Sequence, residues 1–262
     1  MTMTDTKPSL YLVPNLIDGE GLPETALPAA ALARIRLLRH YVVEGEKAAW
    51  RLLSRVMSRE EAALVAIERL DEHTRPEELP RLLEPLRYGF DLGLVSEAGL
   101  PCVADPGSAL AALAHEEGFR VIPLVGPSSL MLALAASGLD GQRFSFLGYL
   151  PQEPDLRKLA LRDIDRGVRS DGATRIFIET PYRNDRLLSD CLAVLSPDTR
   201  LCVAASLTAA DESIRSETVS KWKKKPSTIG KRPAVFLVGR TPGTSLDRPS
   251  GFGHSVGAPC KK

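Results

Sequence analysis

Two short loops rich in glycine, serine and carboxylates carry the clearest chemistry in the sequence. The first, residues 96–107, follows an apolar run at 92–95, and the second, residues 126–129, follows another at 121–125. A helical stretch separates them, and the alternation of strand, loop and helix is typical of a parallel sheet. Ligands bind at the carboxyl ends of such strands, where small residues let a ligand approach the backbone amides. We therefore expect one cleft lined by both loops.

The carboxylates in the first loop limit which ligand the cleft accepts. A phosphate-binding loop usually carries a lysine or a Gly-x-Gly-x-x-Gly pattern at a helix start, and neither is present. Glu97 and Asp105 would repel a polyphosphate, but they suit a ligand with hydroxyls, an amine or a positive charge. For Asp105 alone a turn or helix cap is an equally good explanation, and for Ser128 alone a helix cap is the better one.

Two further features add charge to the second half of the chain. Glu179 ends a predicted strand and Arg183 follows four residues later, so the pair either lines the same cleft from a second domain or forms a surface ion pair. The run 221–225 contains four lysines, and Lys231 and Arg232 follow closely. Such runs are usually solvated surface, but this one is the only concentration of positive charge that could hold an RNA backbone.

The overall composition excludes several classes of protein. The net charge is +1, from 34 Lys and Arg against 33 Asp and Glu, which argues against a generally basic nucleic-acid coat. The four cysteines are scattered, as expected for idle thiols in a reducing cytosol, and the four histidines have no metal-ligand spacing. No serine lies in a nucleophile elbow, and no apolar run approaches the roughly 20 residues of a spanning helix. We expect a cytoplasmic protein with no metal and no membrane segment.

The elements that must position these loops alternate between strands and helices. The apolar pattern predicts strands at 10–13, 40–43, 92–95, 121–125, 144–150, 174–178, 201–205, 216–222 and 233–238. It predicts helices at 44–56, 130–136, 156–166 and 187–195, with Trp50 on a core-facing side of the first. Residues 60–70 are either a helix or a helix leading into a strand.

A proline-rich joint after the aromatic strand at 144–150 suggests a domain boundary. We expect an N-terminal α/β domain at 1–148 that carries the glycine loops, and a C-terminal α/β domain at 149–240. The Gly-, Pro- and Ser-rich tail, 241–262, has almost nothing apolar to bury and is expected to be disordered.

Five ordered motifs resemble one family. They are Ser96-Glu97-Ala98-Gly99-Leu100-Pro101 with Asp105-Pro106-Gly107, the segment 123–130, the segment 136–139, the segment 146–151, and Glu179-Thr180-Pro181-Tyr182-Arg183. They are similar to the bacterial small-subunit ribosomal RNA (cytidine-2'-O-)-methyltransferases, which are tetrapyrrole-methylase-class enzymes that use S-adenosylmethionine. The resemblance covers about residues 10 to 240. It implies two α/β domains, each a mostly parallel or mixed sheet flanked by helices, a cofactor cleft between them, and a homodimer.

The same resemblance assigns roles to residues of this chain. The cofactor, S-adenosylmethionine, would be held by two loops and two strand ends: Leu94, Ser96, Ala98, Val103, Ser128, Ser129, Ala204 and Pro233. Glu179 and Arg183 would contact substrate. Methyl transfer needs in-line placement of the acceptor oxygen and a base for its proton, and Glu97 is the candidate base. Orienting the cofactor is the alternative role of Glu97.

Three segments depart from the family pattern. Pro14-Asn15-Leu16-Ile17-Asp18 replaces Gly-Asn-Leu-Gly-Asp, and Glu44-Gly45-Glu46-Lys47 replaces Glu-Asp-Thr-Arg. Ala205-Ser206-Leu207-Thr208-Ala209 replaces Arg-Glu-Leu-Thr-Lys and so loses three charged groups. We expect these charges to serve acceptor binding or proton transfer in the family. The sequence therefore predicts a divergent methyltransferase that acts on ribosomal RNA in the small subunit. The alternatives are methylation of a small molecule such as a tetrapyrrole, and an inactive relative that binds cofactor or RNA.

Overall fold

Two five-stranded sheets form the framework of the chain. The computed structural model describes residues 7–240, so the predicted disordered tail lies outside the described residues. The strands are, in chain order, β1 (Ser9–Val13), β2 (His40–Val43), β3 (Ala66–Arg69), β4 (Leu92–Val95), β5 (Arg120–Pro123), β6 (Phe144–Tyr149), β7 (Thr174–Glu179), β8 (Arg200–Ala205), β9 (Ser213–Thr218) and β10 (Ala234–Gly239).

Helices flank both sheets. They are α1 (Pro23–Ala26), α2 (Ala29–Leu37), α3 (Glu46–Val56), α4 (Arg59–Ala62), α5 (Leu79–Leu82), α6 (Glu84–Arg87), α7 (Gly107–Glu116), α8 (Ser129–Ser137), α9 (Pro154–Asp171), α10 (Asn184–Val194) and α11 (Val219–Lys224). Two 3₁₀ helices, Pro76–Glu78 and Pro181–Arg183, precede α5 and α10. The predicted two-domain α/β fold is confirmed by the two sheets and their helices.

The first sheet is entirely parallel, with the strand order β3-β2-β4-β1-β5. Its central strands are buried on both faces, which explains why β1 and β4 are short, almost continuous apolar runs. Because all five strands point the same way, the loops that follow β1, β2, β4 and β5 emerge at one edge. The topology therefore brings both glycine loops together.

The second sheet is mixed, with the order β6-β7-β10-β8-β9. Only β6 and β7 pair in parallel, and the other neighbours are antiparallel. Its core includes the stacked rings of Phe177 and Phe236, both fully buried, whose centroids lie 5.7 Å apart.

Helix α8 connects the two halves of the molecule. It begins just after the loop that follows β5, yet its buried residues Leu130 and Leu134 pack with Val235 and Leu237 of the second sheet. The expected boundary between residues 148 and 149 lies at the end of β6, which is an edge strand of the second sheet.

Two local predictions are wrong. The predicted strand at 216–222 is the end of β9 followed by α11, because Val219 and Trp222 are buried three residues apart while Lys221 and Lys223 between and beside them are exposed. This spacing is helical. Trp50 was expected in the core, but it is 37% exposed, since α3 buries Ala49, Leu52, Leu53 and Val56 instead.

A candidate active site between the two sheets

A cleft of about 390 Å³ lies between the carboxyl-end loops of the first sheet and the strand ends of the second. This volume lies within the roughly 300–1,000 Å³ typical of small-molecule sites. One wall is built from the loops after β1, β2, β4 and β5. The opposite wall comes from the end of β7, the end of β8 and the start of β10.

Most of the predicted cofactor residues line this cleft. They are Ser96, Ala98, Val103, Ser128, Ser129, Ala204 and Pro233, and the predicted base Glu97 and substrate residue Glu179 lie on the same lining. Leu94 does not line the cleft: it is 3% exposed within β4 and packs in the core beneath the loop. Arg183 is not a lining residue either, and reaches the site through its ion pair with Glu179.

The loop after β4 is held by the loop after β1. The main chains of Asn15 and Gly99 form a bridge, and the buried Asn15 side chain donates to the carbonyls of Ser96 and Glu97 at 3.0 and 3.1 Å. Gly99 has a φ of +70°, a conformation that favours glycine. Asn15 is not among the predicted site residues, yet it positions the cleft loop.

Asp105 closes the far end of the same loop. Its carboxylate accepts hydrogen bonds from the amides of Cys102, at 2.9 Å, and Gly107, at 2.8 Å. Burial raises the pKa of this carboxyl, and the amide hydrogen bonds act in the opposite direction. Asp105 thus orders the turn before α7 and also lines the cleft, so both readings of its role apply.

Strained backbone borders the cleft on both sides. Cys102 and Ala104 in the first loop have φ values of +68° and +63°, and Ser206 and Thr208 after β8 have values of +50° and +71°. Non-glycine residues adopt this region at a cost and cluster at functional sites. In residues 7–240 these are the non-glycine residues with positive φ, and both loops contribute to the lining.

Three carboxylates concentrate on the first wall of the cleft. Oε2 of Glu44, which directly follows β2, accepts a hydrogen bond from the amide of Glu97 at 3.1 Å. Burial raises the pKa of Glu44, and the nearby carboxylates of Asp105, Glu97 and Glu72 raise it further, while the Glu97 amide lowers it. Glu44 was not among the predicted site residues. Its position directly after a parallel strand is the signal that could have identified it.

The second wall contributes an ion pair in which the carboxylate is buried and the guanidinium is partly exposed. Glu179 ends β7 with 1% of its side chain exposed, and its Oε1 accepts from the Thr180 amide at 2.7 Å and from the Arg183 Nε at 2.9 Å. A buried carboxylate needs such partners to stay charged. Of the two readings left open by the sequence, the structure favours cleft lining for Glu179 and a supporting role for Arg183.

Within residues 7–240 no group of three or more histidines, cysteines or carboxylates is arranged to hold a metal ion. Burial raises the pKa of the Cys102 and Cys202 thiols to about 11 each. Over the same described range, no helix has the length and apolar character needed to traverse a bilayer.

Comparisons with known proteins agree with this architecture. The family described as Tetrapyrrole (Corrin/Porphyrin) Methylases matches residues 28–222. The chain is 32% identical over 247 residues to the Ribosomal RNA small subunit methyltransferase I of Vibrio cholerae, covering 90% of the chain and 81% of that relative. It is 33% identical over 222 residues to the protein of the same name from Pseudomonas aeruginosa, covering 83% of the chain and 70% of the relative.

Solved structures show the same fold at lower sequence identity. The methyltransferase CobJ superposes with a TM-score of 0.60 at 21% identity, covering 89% of this chain and 94% of CobJ. Diphthine synthase superposes with a TM-score of 0.58 at 20% identity, covering 88% of this chain and 89% of its own.

Proposed function

The chain belongs to the tetrapyrrole methylase family of S-adenosylmethionine-dependent methyltransferases, and we propose that it methylates a ribose 2'-oxygen of ribosomal RNA in the small ribosomal subunit. The choice of acceptor rests on the relatives from Vibrio cholerae and Pseudomonas aeruginosa. Both are named Ribosomal RNA small subunit methyltransferase I, and this chain matches them over most of its length. We also propose that the protein acts in the cytoplasm, where such a substrate is found.

The residues of the cleft fit the expected cofactor. Ser96, Ala98, Ser128 and Ser129 are small enough to admit a bulky ligand against the backbone, and the carboxylates of the first wall complement a sulfonium and an amine. When bound, the cofactor supplies an electrophilic methyl group. Ser96, Ala98, Val103, Ser128 and Ser129 would hold it from the first sheet, and Ala204 and Pro233 from the second.

The distribution of charge supports a polyanionic acceptor that approaches from one direction. The acidic residues Glu44, Glu97 and Asp105 lie on the first wall, whereas the lysine-rich run 221–225 is on and after α11, beside the second sheet. An RNA backbone is repelled by the first and attracted by the second. We therefore propose that RNA crosses the C-terminal domain to reach the cleft mouth.

Glu97 is the proposed acceptor of the ribose hydroxyl proton. Its side chain is exposed at the cleft, and its amide is fixed by Glu44. Glu44 is the alternative base. Its pKa is raised, and a raised pKa makes a carboxylate a better base near neutral pH. Glu179 would contact the acceptor from the other wall while Arg183 holds its carboxylate in place.

The deciding experiment uses small ribosomal subunits that lack the modification and S-adenosylmethionine labelled in its methyl group. We expect label in the ribosomal RNA and a new site resistant to alkaline hydrolysis, because that cleavage requires a free 2'-hydroxyl. Glu97→Gln should lower kcat about 100-fold or more while cofactor affinity is kept. If Glu44→Gln shows the large loss and Glu97→Gln does not, the base is Glu44.

The control is calorimetric titration with S-adenosylmethionine, where micromolar binding corresponds to roughly 8 kcal/mol. Binding without transfer to subunits would contradict the RNA acceptor. In that case labelled transfer to a tetrapyrrole such as uroporphyrinogen tests the small-molecule alternative.

We further propose that the protein is a homodimer, as the family resemblance implies. The edge strand β6 exposes Phe144 and Leu147, which are 43% and 41% accessible. Exposed apolar residues on a sheet edge are typical of an interface. Light scattering coupled to size exclusion gives the mass directly.

A further inference from the structure

A pair of exposed side chains, Tyr182 and Lys231, marks the rim of the cleft on the second sheet. The Lys231 Nζ lies 5.1 Å from the centroid of the Tyr182 ring. Tyr182 is 80% exposed, and Lys231 is exposed as well. A cation over one face of the ring leaves most of the remaining aromatic surface open to solvent.

Each member of this pair directly extends a segment that lines the cleft. Thr180 and Pro181 line it, and Tyr182 is the next residue; Pro233 lines it, and Lys231 lies two residues earlier. The two segments therefore leave the cleft side by side and meet again at its rim.

The backbone beneath the pair is fixed. Asp185 accepts from the amide of Ile229 at 2.6 Å, and the side-chain nitrogen of Asn184 donates to the carbonyl of Arg232 at 2.6 Å. On the other side, Arg183 is tied to Glu179. The aromatic ring and the ammonium group thus extend from a rigid base, which lowers the entropic cost of ordering them on a ligand.

The segment that leads to Lys231 is rich in positive charge. Residues 221–232 contain five lysines and one arginine and no acidic residue. Across the described range 7–240, none of these lysines forms an ion pair within 4.0 Å. Free ammonium groups beside an open aromatic face match a strand of phosphates with an unpaired base.

We propose that Tyr182 and Lys231 form a docking platform for single-stranded RNA, on which Tyr182 stacks a base next to the acceptor nucleotide and Lys231 contacts the adjoining phosphate. This inference rests on the proposed ribosomal RNA acceptor and adds the residues that select an unpaired segment. The lysines of 221–225 extend the phosphate track away from the cleft.

The test compares variants of the full chain, saturated with S-adenosylhomocysteine, for binding to small ribosomal subunits that lack the modification. Tyr182→Ala should raise Kd about tenfold, as expected for loss of one stacked base, and Tyr182→Phe should stay within about twofold because it keeps the ring. Lys231→Gln should weaken binding and reduce the salt dependence by about one phosphate contact. Tyr88→Ala is the matched control, since Tyr88 is 74% exposed but lies outside the cleft lining.

Cofactor affinity should be unchanged in all four variants. Unchanged subunit binding by Tyr182→Ala, or a Tyr182→Phe variant as weak as Tyr182→Ala, overturns the stacking role. If the variants change the oligomeric mass of the protein but not its RNA affinity, the stacking role is also overturned, and Tyr182 and Lys231 are assigned to a contact between subunits. If wild-type protein methylates subunits but these variants do not differ from it, only this inference fails; if wild-type protein neither binds nor methylates them, the proposed acceptor fails too.

Discussion

Asn15 and Gly99 exchange two main-chain hydrogen bonds, from the Asn15 amide to the Gly99 carbonyl at 2.8 Å and in the reverse direction at 3.2 Å. The bridge joins the loops after β1 and β4, which are adjacent strands of the parallel sheet. The Asn15 side chain then donates to two more carbonyls of the same loop, those of Ser96 and Glu97. One buried amide therefore sets the shape of the first wall of the cleft.

Replacing Asn15 should damage both stability and cofactor binding. In Asn15→Ala the carbonyls of Ser96 and Glu97 lose a donor, and the Leu16 amide loses its acceptor at 2.8 Å. Unsatisfied buried groups cost about 1–3 kcal/mol, so we expect the free energy of unfolding to fall by about 2 kcal/mol. Urea denaturation measures this, and calorimetry should show weaker binding of S-adenosylmethionine. Unchanged cofactor affinity would mean that the loop keeps its shape without the side chain.

Two substitutions of Ser128 distinguish the effect of filling the cleft from the effect of losing a helix cap. Its side chain accepts from the Met131 amide at the start of α8, and it also lines the cleft. Ser128→Leu should abolish cofactor binding while the protein remains folded, because the larger side chain occupies cofactor space. Ser128→Ala should lose about 1 kcal/mol of stability but keep most of its cofactor affinity. Equal affinities for the two variants would contradict the placement of the cofactor against this loop.

Glu44 should make stability depend on pH. Burial raises the pKa of Glu44 in the folded protein, and neighbouring carboxylates add to the effect. The folded state then holds this proton more tightly than the unfolded chain, so its contribution is fully present below the ordinary carboxyl range near pH 4 and is lost as pH rises through the folded-state pKa.

Glu44→Gln removes this loss and keeps an oxygen that can accept from the Glu97 amide. We expect the variant to gain stability over the wild type as the pH rises above the ordinary carboxyl range near pH 4 and through the raised pKa of Glu44, measured by denaturant unfolding at each pH. A difference that does not change with pH would show that Glu44 ionises equally in the folded and unfolded chains.

The ion pair between α9 and α10 should be important for stability. Arg157 is 2% exposed and its Nε donates to Asp190 at 2.7 Å. Asp190→Ala leaves a buried guanidinium without its carboxylate, so we expect a loss of about 3 kcal/mol. Asp198→Ala is the matched control, because its partner Arg169 lies on the same helix but both side chains are more than half exposed. Its removal should cost less than about 1 kcal/mol in the same thermal or denaturant melt.

The strands of the first sheet could be predicted because their burial on both faces makes them unbroken apolar runs. β1 and β4 match the predicted runs closely. The segment 60–70 was ambiguous because β3 is an edge strand with little buried surface, and it proves to be α4 followed by β3. Where a strand buries few apolar residues, the pattern of apolar residues in the sequence does not identify it.

The errors arise where tertiary packing decides between two local readings. The pattern predicts a strand at Trp222, but the residue lies in α11, where its indole Nε1 donates to the Leu201 carbonyl and Arg215 lies over the ring at 3.8 Å. These are contacts with the neighbouring strands β8 and β9. Trp50 is exposed because the small Ala49 and two leucines fill the core beneath α3. No local pattern distinguishes these environments.

The cleft-lining loops could be predicted because their residue types are unusual. Glu44 and Asn15 offer only a weak signal, a polar residue at or just beyond the end of a strand, and this signal does not say which loop they contact. Both are polar residues that follow strands far away in sequence, and they reach the loop after β4 only because β1 and β2 are its neighbours in the sheet. Strand order, which a single sequence does not specify, makes them part of the site.

The cleft is shared between two sheets that each have their own core. A ligand held by both walls is lost when either sheet unfolds, so its binding energy stabilises the two halves together. Each tenfold rise in free cofactor above its Kd then adds about 1.4 kcal/mol to the stability of the whole chain. If this ligand is the proposed S-adenosylmethionine, a higher concentration of it lowers the unfolded fraction of the protein that a protease can cleave.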